Sequence, residues 1–270
     1  MKVSVLLCAA ALLAASVSAQ ANPMPTALAD AIAAPSRTEA FRARDAHRHP
    51  QETLAFFGVQ PTMTVVEIWP GAGWYTEILA PYLRDRGQYI AAGFALTDKS
   101  PAYQGRLATS FVEKLAAAPA LYGKVGLTAL GPPAAWSIAP EGSADRVLTF
   151  RNVHNWMDGG YAPEVFAAMF RALKPGGVLG VVEHRAAPGT SLEQMKQSGY
   201  VTEAEVKRLA AEAGFRFESA SEVNANPKDT RDYAKGVWTL PPRLAEGEKD
   251  REKYLAIGES DRMTLRFVKP

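Results

Sequence analysis

Three stretches of this chain carry side chains able to do chemistry. The first is Thr64-Val65-Val66-Glu67-Ile68-Trp69 followed by Pro70-Gly71-Ala72-Gly73-Trp74. A carboxylate inside a β-branched, apolar run is costly to bury without a partner. A Gly-rich bend that opens a helix turns main-chain N–H groups, at the positive end of the helix dipole, toward whatever lies in front of it. Together they suit a ligand held against the backbone, although glycines at a tight strand-to-helix turn also arise for steric reasons alone. The second stretch is Arg151-Asn152-Val153-His154-Asn155-Trp156. An imidazole titrating near neutral pH makes His154 the candidate general base. Asn152 and Asn155 would orient a substrate, and Arg151 would hold an acidic group. The bland alternative is a hydrogen-bonded loop. The third stretch, Glu183-His184-Arg185, would support the first base or form a second acid/base pair. His154, Asp158, Glu183 and His184 also raise a metal-site reading, but their spacing matches no compact ligand motif, and none is assigned. A serine-hydrolase elbow, Gly-x-Ser-x-Gly, is absent from the sequence.

The elements that must position these stretches follow from periodicity. Residues 64–69 read as a strand buried on both faces, and Ile78, Leu79, Tyr82 and Leu83 give the helix behind the bend. Further strands are expected at 87–94, 125–129, 144–150, 178–185 and 215–223, with helices at 102–117, 161–173 and 201–213. Thr202 with Glu205 supplies a capping-box spacing for the last of these, and Gly214 a stop. Strands alternating with helices argue for a parallel sheet covered on both faces. In such a sheet ligands bind beyond the carboxyl ends of strands, which is where both the bend and Arg151–Trp156 fall. Met263–Val268 alternates apolar and polar residues, as an antiparallel strand near an edge would. Ahead of the first strand, Ser36 with Glu39 has capping-box spacing for a helix to about Arg48, and Pro50 restarts a second one ending at Gly58. The polar run Arg44–Pro50 is either a solvated helix face or a lid over the bend. Residues 224–258, rich in charge and proline, are expected to be a solvent-facing insertion with some helix.

Residues 1–21 read as an export signal: Lys2, an apolar run from Val3 to Ala15, and Ala19-Gln20-Ala21 as a small-x-small cleavage site. The expectation is an exported protein, periplasmic or secreted, with no stable membrane span after cleavage. Residues 22–35 would be a flexible lead-in and 36–270 one domain. Cys8, the only cysteine, lies within the signal, so the mature chain has no disulfide, cysteine nucleophile or thiolate metal site. With 30 basic and 28 acidic residues the net charge is +2, which gives no general pull toward nucleic acid. A chain that is 47% hydrophobic can bury a substantial core.

The order of elements, Glu67-x-x-Pro70-Gly71-Ala72-Gly73 after the first strand, and Leu173-Lys174-Pro175-Gly176-Gly177 before the fifth resemble the class I S-adenosylmethionine-dependent methyltransferases. Arg48-His49-Pro50-Gln51-Glu52-Thr53-Leu54, Gly71–Thr76 and Phe150–Trp156 look more narrowly like a bacterial group of predicted exported methyltransferases. The resemblance implies a Rossmann-like α/β fold: a mostly parallel seven-stranded sheet, its last strand antiparallel, with helices on both faces. It implies a small-molecule acceptor methylated on oxygen or nitrogen, with S-adenosylmethionine held by Glu67, by the backbone of Pro70, Gly71, Ala72, Gly73 and Trp74, and by Phe94. The chain departs from the family pattern in three places. No carboxylate ends the second strand (Ala91-Ala92-Gly93-Phe94), none follows the third (Ala129-Leu130-Gly131-Pro132-Pro133), and Trp69 replaces the first glycine of the loop. A non-catalytic exported protein that binds a small molecule on the same fold is the alternative.

Overall fold

The computed structural model describes residues 27–270, so the export signal and the start of the lead-in lie outside the described residues. Thr64–Ile68 forms β1, and its apolar continuity has a direct cause: both of its faces are covered. β1 pairs in parallel with β2 (Gln88–Phe94) on one side and with β4 (Ala144–Phe150) on the other. β3 (Gly126–Leu130) flanks β2, and β5 (Leu173–His184) flanks β4, both parallel. β7 (Arg262–Val268) is antiparallel to β5 and also to β6 (Arg216–Ser221), giving the order β3-β2-β1-β4-β5-β7-β6. The expected fold class is therefore present. β7 lies second from the edge, which β6 holds, so it is near the edge as its alternation suggests.

Connections leave β1 toward β2 and β3, then jump back past it to β4. That reversal sets the switch point between β1 and β4, where the register Ile68↔Thr149 brings the Pro70–Gly73 bend beside residues 151–156. One face is packed by α1 (Leu28–Ala33), α4 (Pro50–Phe56), α5 (Thr76–Leu83), α6 (Ala102–Ala117) and α7 (Pro119–Tyr122), through Leu54, Ile78, Leu79 and Phe111. The opposite face takes α8 (Val153–Gly159), α9 (Ala162–Ala172), α10 (Leu192–Ser198) and α11 (Glu203–Glu212), through Trp156, Phe166, Met195 and Leu209. Gly180 in β5 is required by Phe57, whose ring would stand 2.7 Å from any Cβ there.

Several expectations need correction. Leu28–Ala33 is a packed helix with Leu28 and Ala31 buried, inside what reads as flexible lead-in. The single helix expected over 36–48 is two short ones, α2 (Glu39–Arg42) and α3 (Asp45–Arg48), and Ser36 caps neither. Thr38 precedes α2, but its hydroxyl and N–H are both donated to Glu77 across the interface, at 2.6 and 2.8 Å. Lys174–Gly177 is drawn into β5 as a bulge between the Ala144↔Leu173 and Arg146↔Val178 pairs. The 224–258 segment carries a 3₁₀ turn at Gly236–Thr239 and α12 (Arg251–Ile257), and it buries Asn224, Asp229, Val237 and Leu240. It is a covering element rather than a solvated insertion. No helix among the described residues is long and apolar enough to cross a membrane.

Candidate functional site

The bend begins with strain. Trp69 follows β1 with φ +47°, a left-handed backbone that costs a non-glycine residue about 1–2 kcal/mol. Its N–H still reaches Ala92 O, but the turned backbone swings the indole sideways across the ends of β2 and β3. There the indole N–H donates to Leu130 O at 2.9 Å, and the ring packs on Phe94 at 4.8 Å. Gly71 (φ +60°) and Gly73 (φ +82°) supply the remaining left-handed positions, and Gly73 N–H closes the turn on Pro70 O. A Cβ on Gly73 would also press the Phe111 ring at 3.2 Å. The N–H groups of Gly71 and Ala72 meet no acceptor among the described residues, and both residues line a cavity of about 900 Å³.

The second stretch reaches the same cavity, and it is a helix start rather than a loop. Arg151 continues β4 by donating its N–H to Val182 O, and its φ of +61° turns the chain out of the sheet. Glu183, fully buried at the end of β5, then accepts the N–H groups of Val153 (2.6 Å) and His154 (3.3 Å), satisfying the first turn of α8. The same carboxylate accepts His184 N–H at 2.8 Å and faces His154 Nδ1 at 3.0 Å. A carboxylate oxygen only accepts, so we assign the imidazole proton to Nδ1. That leaves Nε2 as the lone-pair nitrogen of a ring that lines the cavity. The second and third stretches thus act as one unit: Glu183 starts the helix, orients the His154 ring and fixes its tautomer.

His154, Glu183 and His184 bring ligand-type atoms within 4.8 Å of one another. Their hydrogen bonds argue for a positioned base instead of a cation site. Glu183 already serves three backbone donors, and His184 Nδ1 lies 2.6 Å from Ser260 Oγ. Burial, followed by His154, Arg151, Arg262 and Arg48, holds His184 well below the ordinary histidine range, in surroundings that repel a cation. Asp158 belongs elsewhere, on the wall of a neighbouring cavity.

Other expected site residues fall into new roles. Asn152 lines the cavity, but its amide N–H groups are donated to Ile68 O (3.0 Å) and Thr149 Oγ (3.3 Å), so it braces β1 against β4. Trp74 donates its indole N–H to Phe41 O and lies under the guanidinium groups of Arg37 and Arg48, which anchors the N-terminal segment. Glu67 does not line the cavity. It is buried and accepts from Tyr89 Oη at 2.5 Å; burial, opposed by that bond, Arg151, Thr76 and Arg48, pushes its carboxyl up to about 7. Asn155 lines the cavity as expected, and Arg44 and Arg48 in the polar run do so too, as a lid would. Lys235, Trp238 and Arg243 come from the covering segment after β6, and Arg106 from α6. No periodicity or motif marks these four in the sequence.

S-adenosylmethionine fits this site in one half only. The two free N–H groups of the bend suit a carboxylate such as its amino-acid end bears. Its adenosine end lacks the partners that the resemblance implies. A second cavity, about 580 Å³, opens beyond β2 and β3, and Trp69, Tyr103 and Asn155 line both. The Trp69 indole already covers Phe94, the ring expected to stack on adenine, and already uses the Leu130 carbonyl. The end of β2 offers no carboxylate for the ribose hydroxyls.

No protein-family model matches the chain, and no curated protein does either. Solved structures do. An S-adenosylmethionine-dependent methyltransferase from Aquifex aeolicus aligns with a TM-score of 0.54 at 17% identity, over 84% of this chain and 93% of that one. The cyclase SpnF aligns with a TM-score of 0.57 at 15% identity, over 90% and 92%. A phosphoethanolamine N-methyltransferase from Haemonchus contortus, in complex with S-adenosyl-L-methionine, aligns at 0.53 and 16%, over 90% of this chain and 60% of that one. At such identities the likeness concerns architecture: this chain has the Rossmann-like fold on which S-adenosylmethionine-dependent methyltransferases are built.

Proposed function

We propose that the chain is an S-adenosylmethionine-dependent methyltransferase acting on oxygen or nitrogen of a small molecule. The observation that carries this reading is the shared cavity. Unpartnered Gly71 and Ala72 N–H groups and a Glu183-oriented His154 open into one space at the switch point of a methyltransferase fold. The cofactor's contribution would be an electrophilic methyl group. The chain's own part is to align an acceptor and take its proton: Nε2 of His154 is the base, and Arg151 and Asn155 hold the acceptor. Export of the chain, proposed from residues 1–21, puts this activity outside the cytoplasm; recovery of the processed chain in the periplasmic or culture fraction supports it, and retention of the full-length chain in the cytosol contradicts it.

The Trp69 indole on Phe94 and Leu130, with no carboxylate at the end of β2, favours a second reading, a binding protein that keeps the fold without the transfer reaction. The cyclase among the structural neighbours is a reminder that fold alone does not set the chemistry. Calorimetric titration with S-adenosylmethionine and S-adenosylhomocysteine separates the two. Low-micromolar binding of either supports the transferase, and no heat at millimolar concentration supports the binder.

A further inference from the structure

The composition of the chain is almost charge-neutral, with 30 basic against 28 acidic residues, yet its main cavity is not. Arg44, Arg48, Arg106, Arg151, Lys235 and Arg243 all line it, and no Asp or Glu does among the described residues. Behind the wall, one carboxylate serves the inner group: Glu259 pairs with Arg44 at 2.6 Å, Arg48 at 3.3 Å and Arg262 at 3.1 Å. Burial opposes ionisation of Glu259, but Arg48, Arg262, Arg151 and Arg44 together hold its carboxyl well below the usual range. One negative charge among four guanidinium groups leaves the inner wall with a surplus of positive charge.

Arg151 is the least satisfied member. Its guanidinium makes no ion pair and no hydrogen bond with any described residue, though its side chain is only partly exposed, on a strained backbone at the end of β4. Burial, opposed by Glu259 and reinforced by Arg262 and Arg44, draws it down to about 10, so it stays charged at neutral pH. Gathering like charges around one hollow destabilises the free protein, and a bound anion relieves that. Arg106, Lys235 and Arg243, all exposed, add a cationic rim that would draw an anion inward.

We propose that this cavity takes a small organic polyanion, one bearing at least two carboxylate or phosphate groups. Arg151 receives one group, and the rim cations receive the other, while the free N–H groups of the bend stay with the cofactor. This rests on the reading of the cavity as the active site and names the class of molecule acted on; it does not depend on which cofactor serves the reaction.

The test is calorimetry on the chain with inorganic pyrophosphate and with citrate as probes, with glucose as the uncharged control. We expect at least one anion to bind and glucose not to. Arg151→Gln should weaken that anion about ten- to a hundredfold. Because Arg151 sits on strained backbone, the rim double variant Arg106→Gln plus Lys235→Gln is measured as well, and about tenfold weakening with a shallower salt dependence is expected. Arg216→Gln on the edge strand should change nothing. Failure of both anions to bind overturns the proposal, as does binding that the Arg151 and rim variants leave intact. Pyrophosphate without citrate points to phosphate esters, and the reverse to polycarboxylates. If the anion binds while S-adenosylmethionine does not, the polyanion site stands and the transferase reading falls; the opposite pattern overturns the site alone.

Discussion

The buried carboxyl groups at the ends of β1 and β5 have opposite settings. Glu183 is met by three N–H donors and the His154 ring. Nitrogen-resolved NMR of the imidazole should therefore find His154 protonated at Nδ1 and bare at Nε2; the reverse tautomer would remove it as the base. Glu67 has only hydroxyl partners and a carboxyl raised from 4.5 to about 7. Between those values the folded chain keeps a proton that the unfolded chain has lost. Its contribution is therefore complete below about pH 4.5 and disappears as the pH rises through 7. At about 1.4 kcal/mol per pH unit the loss is about 3 kcal/mol. Glu67→Gln should flatten that slope in denaturant titrations between pH 5 and 8, and an unchanged slope would place the titrating group elsewhere. The sequence makes Glu67 and His154 conspicuous for good reason, since each is polar where neighbours are apolar. It cannot say that Glu67 meets Tyr89, because that depends on which way one side chain of β1 points.

The elements around the site are held by polar contacts that span long stretches of chain. Glu77, buried in α5, accepts from both Thr38 groups and pairs with Lys114, so it clamps the N-terminal segment onto the sheet. Glu77→Ala should release that segment, seen as faster tryptic cleavage at Arg42 and Arg44 with β1 to β7 still resistant; unchanged cleavage would mean that Trp74 and its guanidinium neighbours suffice. At the other end of the chain, Thr202 accepts Glu205 N–H at 3.2 Å as its spacing predicts, and Thr202→Ala should cost about 1 kcal/mol in unfolding free energy. Strands and long helices were legible because burial on two faces writes continuous apolar runs, and α6 matches its expected bounds, Ala102–Ala117. The short elements were not. α8 has no cap of its own, its donors being met by Glu183 from another strand, so nothing local announces a helix at residue 153. The covering segment after β6 likewise owes its order to distant partners, such as Asn224 bonded to Thr53 and Thr264.

Across the whole molecule, the reversal of strand order at β1 and β4 gathers both chemical stretches and a ring of cations into one cavity. Segments from both ends of the domain cover it, Phe41–Arg48 and Ala234–Ala245. The juxtaposition of bend and helix start follows from alternating strands and helices, and so could be read before any coordinates. The charge of the cavity could not, because its members lie far apart in a chain of balanced composition. The Trp69 indole was legible in part: in place of the loop's first glycine it was expected to narrow the pocket, but the sequence gives no sign that it turns onto Phe94 and Leu130. The most direct test of the shared cavity is amide NMR of the folded chain titrated with S-adenosylhomocysteine. Resonances of Gly71, Ala72 and Gly73 should shift together with those of Arg151, His154 and Asn155, along one saturation curve. Shifts confined to one of the two groups, or to neither, would contradict the account.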